Sequence, residues 1–202
     1  MIEKIKKEVK KTMMGINSCH EWEHVERVCN LALRIGKIEK ADLEILTLAS
    51  LLHDIARKEE DDSNGKIDHA KKGTILAKEI LKKHGFKVET IKNVCHCIET
   101  HRFKKDQKTL EAKILYDADK LDSLGAIGVG RIFSFSGSIG AKVHNKGVRV
   151  EKIKKYSEDD TAYFIYETKL KHLKMFTLEG KRMAKDRLSF MKEFFKRLDK
   201  EA

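Results

Sequence analysis

Residues 43–54 read LEILTLASLLHD, a run of mostly apolar residues that ends directly in His53 and Asp54. The run from Leu43 to Leu52 is apolar almost all round, which is typical of a helix at the centre of a fold. We expect this helix to extend to Ala56. A histidine and a carboxylate side by side offer two ligands for a divalent metal. The stretch therefore predicts a central α-helix with a metal site at its end.

Apolar residues recur at helical spacing through most of the chain, and no proline interrupts them. Ser18 and Glu21 form a candidate capping box before the second helix. A charged turn is expected over residues 57–66, where Asn64-Gly65 is a turn signal. The glycine- and serine-rich region near residues 134–155 is expected to be a flexible loop. The expected helices span about residues 2–11, 18–36, 43–56, 68–83, 88–101, 109–124, 126–135, 159–175 and 178–198.

The chain length of 202 residues is enough for one domain with a sizeable core. Because the pattern is helical throughout and shows no internal repeat, we expect an all-α fold in a single domain over residues 1–202. Its metal-site core would cover about residues 17–130, and its C-terminal helices about residues 158–200.

The formal charge of +11 comes mostly from lysine and suits anionic partners such as nucleotides or nucleic acid. Solvated, lysine-rich helix faces explain it equally well. No arginine-rich stripe with interleaved aromatic residues is present, so nucleic acid is the less favoured partner. No segment approaches the roughly 18 uninterrupted apolar residues of a membrane span, and the N-terminus lacks the apolar region of a secretory signal. We expect a cytoplasmic protein without a membrane partner.

His24 and Asp119 are further candidate metal ligands, because each lies among apolar residues in a helical pattern. Asp54 has a similar setting, and carboxylates are almost never buried there unless they are paired or bound to a metal. Salt bridges or a satisfied core histidine could explain each residue alone, but one shared cation explains them together. Two histidines and two aspartates with open positions suit Mn²⁺, Fe²⁺, Co²⁺, Ni²⁺ or Zn²⁺, with Mg²⁺ a further candidate. Open positions are typical of catalytic metals.

Five stretches together resemble one branch of the HD superfamily of metal-dependent phosphohydrolases, which consists of small stand-alone predicted hydrolases. They read HEWEHV (20–25), LLHDI (51–55), DHA (68–70), HRF (101–103) and EAKILYDADKLDSLGA (111–126). The resemblance implies an HD-type helical bundle whose metal is carried by His24, His53, Asp54 and Asp119. It also implies hydrolysis of phosphomonoesters, cyclic nucleotides or nucleoside triphosphates, and this branch is similar to nucleotide pyrophosphatases.

Some members of the superfamily bind a second metal through additional histidines. By this resemblance His69 and His101 fall where those ligands are expected. His96 is less certain because it precedes His101 by five residues, which places the two about 140° apart on an ideal helix. The alternatives are that His69 caps its helix and that His96 lies on a solvated face.

Basic residues near these motifs are candidates for binding phosphoryl oxygens. Lys120 and Arg27 come first because they lie beside Asp119 and one turn after His24, and Arg102 and Arg131 come next. Asp122, one turn after Asp119, could orient water or accept its proton; a salt bridge to a lysine is an equally weighted alternative. Glu59 and Glu60 are further candidates for that role.

The sequence as a whole predicts a metal-dependent phosphohydrolase that attacks a phosphoryl group with metal-activated water. The substrate expected is a phosphorylated small molecule, foremost a nucleoside triphosphate cleaved in the pyrophosphatase manner. The alternatives are a phosphodiesterase or phosphomonoesterase with the same site, and a non-catalytic HD module that binds nucleotide or RNA. The exact substrate and the oligomeric state are left open.

Overall fold

The computed structural model describes residues 1–13, 21–63, 66–102, 106–145 and 153–202. Regular structure within these ranges is entirely helical, which confirms the all-α prediction. No described helix is long and apolar enough to cross a membrane. In chain order the helices are α1 (Ile2–Thr12), α2 (Trp22–Glu39), α3 (Leu43–Leu52), α4 (Arg57–Asp62), α5 (His69–Lys83), α6 (Val88–Thr100), α7 (Leu110–Asp122), α8 (Gly125–Ser138), α9 (Ala162–Thr168) and α10 (Leu178–Glu201), with a 3-10 turn at Leu170–His172.

The chain divides into two compact units, Met1–Asp119 and Lys120–Ala202. That the two units make up one domain stays a prediction. In the first unit α3 packs against α1, α2 and α6, while α5 packs against α4 and α6. The Asp42 carboxylate caps α3 by accepting hydrogen bonds from the backbone N–H groups of Glu44 and Ile45. Because α3 is surrounded by helices, its C-terminal end carries the next two residues into the interior.

Helix α3 ends earlier than the sequence predicts, at Leu52 instead of Ala56. The backbone tightens there, since the N–H of Ile55 donates to the carbonyl of Leu52 only three residues back. His53 and Asp54 lie in the turn that follows, and both are buried.

The predicted charged turn over residues 57–66 is also wrong in part, because Arg57–Asp62 is helical. Arg57 pairs with Glu60 at 2.9 Å and with Asp61 at 3.3 Å. These i,i+3 and i,i+4 pairs stabilise a short charged helix. Ser18 of the predicted capping box and the Asn64-Gly65 turn lie outside the described residues.

Aliphatic side chains and two aromatic rings form the interior of the second unit, in which α8 packs against α9 and α10. Phe195 is 1% exposed, and its ring stacks on that of Tyr166 with centroids 4.6 Å apart. The helix predicted over residues 159–175 is shorter than expected, because α9 ends at Thr168 and a 3-10 turn follows.

The predicted loop near residues 134–155 begins later than expected, because residues 134–138 complete α8. The hydroxyl of buried Ser136 donates to the carbonyl of Asp160 at 3.3 Å, and this contact holds the last turns of the helix. Residues 139–145 and 153–161 form no regular structure, and residues 146–152 lie outside the described part of the chain.

Candidate metal centre

Five ionisable side chains and a sixth, partly exposed one converge inside the first unit. His24 lies in the first turn of α2, His53 and Asp54 follow α3, and Asp119 lies near the end of α7. His69 begins α5, and His101 follows α6. Asp119 is the partly exposed one, and none of the other five is more than 3% exposed. The buried members are His24, His53, Asp54, His69 and His101.

One half of the cluster, the first group, consists of His24, His53 and Asp119. The Nε2 atoms of His24 and His53 lie 3.4 Å apart. His24 Nε2 also lies 3.5 Å from Asp119 Oδ1. The first group therefore presents two imidazole nitrogens and a carboxylate oxygen toward a common point.

The other half, the second group, consists of Asp54, His69 and His101. Asp54 Oδ1 lies 3.2 Å from His69 Nε2 and 3.6 Å from His101 Nε2. The opposite oxygen, Oδ2, lies 3.7 Å from the Nε2 atoms of both His24 and His53. Asp54 thus stands between the two groups, with one oxygen turned toward each.

The outer nitrogens of three of these histidines face hydrogen-bond acceptors. Nδ1 of His53 lies 2.8 Å from the carbonyl of Ser50, and Nδ1 of His101 lies 2.6 Å from the carbonyl of Ile98. Nδ1 of His69 faces the carboxylate of Glu60. Because an acceptor requires a proton on Nδ1, each neutral ring directs the lone pair of Nε2 into the cluster, as a metal ligand must.

The separations between ligand atoms fit a small divalent cation. With metal–ligand bonds of about 2.0–2.2 Å, two ligand atoms lie about 3.0 Å apart at a right angle and about 3.4 Å apart at a tetrahedral angle. The pairs within the two groups, at 3.2 to 3.6 Å, approach these values. Each group keeps all its ligand atoms within 4.8 Å of one another, so both could hold a metal.

Burial and neighbouring charges shift the pKa values of the histidines in the second group in opposite directions. Burial by itself would lower the pKa of His69, but the hydrogen bonds and charges of Asp54 and Glu60 raise it above its ordinary value. Burial prevails at His101 and lowers its pKa despite Asp54. For Glu60, burial would raise the pKa, yet His69 and two arginines lower it. Near neutral pH His101 is therefore uncharged and Glu60 is ionised.

His96 is not brought into the cluster. It is half-buried, and its Nε2 accepts a hydrogen bond of 3.2 Å from the backbone N–H of Lys108. The angular offset from His101 along α6 explains why the two rings face different ways. We therefore remove His96 from the candidate ligands of a second metal.

The basic candidates in the first unit have different settings. Arg102 donates to Glu60 at 3.0 Å and lies 3.6 Å from Asp68, so it belongs to the charged surroundings of His69. Arg27 is half-buried on α2, three residues after His24.

The remaining candidates belong to the second unit. Asp122 is 1% exposed and pairs with Arg131 at 2.8 Å. An arginine is therefore one ion-pair partner of Asp122. Lys120 is half-buried and directly follows Asp119 in the chain. The catalytic and substrate-binding roles of these three residues stay predictions.

The sequence alone did not reveal how Arg57 and Glu60 are used. Both lie in a segment that was expected to be a turn, yet both contact His69. Arg57 Nη1 lies 3.4 Å from Nδ1 of His69, and a carboxylate oxygen of Glu60 faces the same nitrogen. The i,i+3 spacing of opposite charges directly after the His53-Asp54 pair was the available signal.

Comparisons with known proteins agree with this architecture. The chain matches the family model of the HD domain over residues 22–124. It is 32% identical over 207 residues to the uncharacterized protein YpgQ of Bacillus subtilis (strain 168), with 98% of this chain and 92% of that protein covered. The crystal structure of YpgQ in complex with ADP is 28% identical with a TM-score of 0.79, covering 100% of this chain and 97% of that one.

Two further solved structures are similar over nearly the whole length. A predicted HD superfamily hydrolase from an uncultured Thermotogales bacterium has 28% identity and a TM-score of 0.71, covering 98% of this chain and 91% of that one. An HD-superfamily hydrolase from Bacillus thuringiensis has 28% identity and a TM-score of 0.77, covering 99% of this chain and 95% of that one.

Proposed function

The chain belongs to the HD-domain family, and on that premise we propose that it is a metal-dependent phosphohydrolase that cleaves a nucleoside triphosphate and releases pyrophosphate. The observation that carries the proposal is the buried convergence of four imidazole Nε2 atoms and two carboxylates. His24, His53, Asp54 and Asp119 would hold a divalent ion, with Mn²⁺, Fe²⁺, Co²⁺, Ni²⁺, Zn²⁺ and Mg²⁺ as candidates. When bound, such an ion lowers the pKa of its water and polarises a phosphoryl oxygen.

The chain's own residues would hold and orient the reacting groups. The carbonyl of Ser50 fixes the ring of His53 through its Nδ1 proton, so the inner nitrogen keeps its position. Arg27 and Arg102 are proposed to bind phosphoryl oxygens, because a guanidinium group can donate two parallel hydrogen bonds to a phosphate. Lys120 and Arg131 are proposed for the same purpose, and Asp122 for accepting a proton.

A nucleotide is the favoured substrate for two reasons. YpgQ, which covers the full length of this chain at a TM-score of 0.79, forms a complex with ADP. The formal charge of +11 also suits a polyanionic substrate.

We further propose that the second group, through His69 and His101, binds a second ion. The support is that Asp54 turns one oxygen toward each group, and shared carboxylates are compatible with two-metal sites, whose ions lie about 3.5–4 Å apart.

The experiment that tests the function is metal-dependent hydrolysis of a panel of nucleoside triphosphates, cyclic nucleotides and nucleoside monophosphates. We expect pyrophosphate from a triphosphate, with loss of release in His53→Ala and normal release in His172→Ala, which alters an exposed histidine. Release only from cyclic nucleotides or monophosphates would favour the phosphodiesterase or phosphomonoesterase alternative. Equal behaviour of wild type and His53→Ala across all metals would favour a non-catalytic binding module.

A further inference from the structure

Glu60 is a buried carboxylate that does not belong to either group of candidate ligands, yet it is surrounded by donors. It is 8% exposed and accepts from His69 Nδ1. It also accepts from Arg57 Nη1 at 2.9 Å and from Arg102 Nη1 at 3.0 Å. We infer that Glu60 is the positioning residue that orients His69 for the second ion. This inference rests on the proposed two-metal function.

His69 needs a side-chain acceptor because of its place in the fold. His53 and His101 each follow a helix, and their Nδ1 atoms reach the carbonyls of Ser50 and Ile98, three residues earlier in that helix. His69 is the first residue of α5, so no preceding turn of its own helix offers it a carbonyl. Glu60 from α4 supplies the missing acceptor.

The two arginines fix the acceptor in place. Arg57 and Arg102 approach different oxygens of Glu60, which restricts rotation of the carboxylate and offsets the cost of burying it. An ionised carboxylate can only accept a hydrogen bond. When the ring of His69 is neutral, two carboxylates face its two nitrogens, and the closer contact of Glu60 favours the proton on Nδ1 over Nε2, which lies 3.2 Å from Asp54 Oδ1.

Glu60→Gln tests whether Glu60 acts as the acceptor for Nδ1 of His69 or only fills space in the interior. Glutamine has the same shape but no charge and only one acceptor oxygen. If that oxygen faces Arg102, the N–H₂ group faces Nδ1, moves the proton of His69 to Nε2 and blocks that atom as a ligand; if it faces His69, it is a weaker, uncharged acceptor. The matched control is Glu79→Gln, which makes the same change at an exposed position of α5, the helix that His69 begins.

The first measurement is the binding of Mn²⁺ to chelator-treated protein, followed as equivalents bound per chain. In Glu60→Gln we expect the first equivalent to be retained and the second to bind about 10- to 100-fold more weakly, the usual effect of losing an outer-shell partner. Glu79→Gln should bind like wild type. Unchanged binding of two equivalents by Glu60→Gln would overturn the inference.

The second measurement is the tautomer of His69 in metal-free protein, read from its ¹⁵N side-chain signals at a pH where the ring is neutral. Wild type should show the proton on Nδ1, and Glu60→Gln should show a shift toward Nε2. Wild type could bind only one Mn²⁺ and still show the Nδ1 proton that depends on Glu60. That result would contradict the proposed second metal site, but it would support the role of Glu60 in orienting His69. The same tautomer of His69 in wild type and in Glu60→Gln would contradict the positioning role of Glu60. If Glu60→Gln does not fold, Glu60→Asp, which keeps the charge on a shorter side chain, should weaken the second equivalent in the same way.

Discussion

The two compact units differ in the clusters of side chains that they bury. The interior of Met1–Asp119 contains the histidine and aspartate cluster, whereas Phe195, Tyr166 and Met191 lie in the interior of Lys120–Ala202. Burying ionisable groups costs free energy unless they are paired or bound to a cation, while burying aromatic rings stabilises directly. We therefore expect the stability of the first unit to depend on a bound cation more than that of the second.

The largest expected effect comes from removing the carboxylate that both groups share. Asp54→Ala should abolish metal binding and lower hydrolysis on the order of 10³-fold, because several kcal/mol of transition-state stabilisation would be lost. Helix content should stay intact. Elemental analysis, circular dichroism and pyrophosphate release check this, with Asp106→Ala, an exposed carboxylate, as control. Stoichiometric metal in Asp54→Ala would contradict the assignment.

In the second unit we expect a substitution to lower stability without changing metal binding. Phe195→Ala should lower the free energy of unfolding by about 3–5 kcal/mol, because a large cavity replaces the central ring. Metal stoichiometry of the folded protein should not change. Denaturant titration measures the loss, and Phe190→Ala, at a ring that is 47% exposed, provides the control. A similar loss in both variants would show that Phe195 is not central to the packing.

Metal removal should distinguish the units directly. At a free metal concentration of about 100 times the dissociation constant, binding stabilises the folded state by about 2.7 kcal/mol. Chelation should therefore speed hydrogen exchange at amides of α2, α3 and α5 more than at those of α8 and α10. Equal acceleration in the two units would contradict their different dependence on a ligand.

The smallest effect concerns the turn that begins α8. A Cβ atom at Gly128 would lie 2.3 Å from the backbone oxygen of Ser123, whereas one at Gly130 would meet nothing within 4 Å. Gly128→Ala should destabilise by about 1–3 kcal/mol, and Gly130→Ala should stabilise by up to about 1 kcal/mol through helix propensity. Thermal unfolding of the two variants compares them, and equal shifts would refute the close approach.

Much of the fold could be predicted from the sequence because its signals are local. The apolar run before His53 predicts a buried helix, and α3 packs against three other helices. The end of that helix could not be predicted, since residues 53–56 have no helix-breaking residue and the tight turn depends on tertiary packing. The early part of the predicted loop was wrong for a similar reason, because the contact of Ser136 with Asp160 joins residues distant in sequence.

The candidate site likewise contains residues that the sequence predicts and one whose use depends on tertiary packing. His24, His53, Asp54 and Asp119 stand out as polar residues in apolar patterns, and the structure brings them together. The five-residue spacing already sets His96 apart from His101, and the structure confirms that His96 lies outside the cluster. The use of Glu60 as an acceptor for His69 depends on the meeting of α4 and α5, which spacing alone does not specify.

The most direct measurement titrates Mn²⁺ into chelator-treated protein and follows the metal bound per chain together with pyrophosphate released from a nucleoside triphosphate. A buried metal centre that drives hydrolysis predicts no release without metal and a rate that rises with bound metal until the sites are filled. The same rate in the metal-free protein, or saturated metal sites without release from any nucleoside triphosphate, would contradict it.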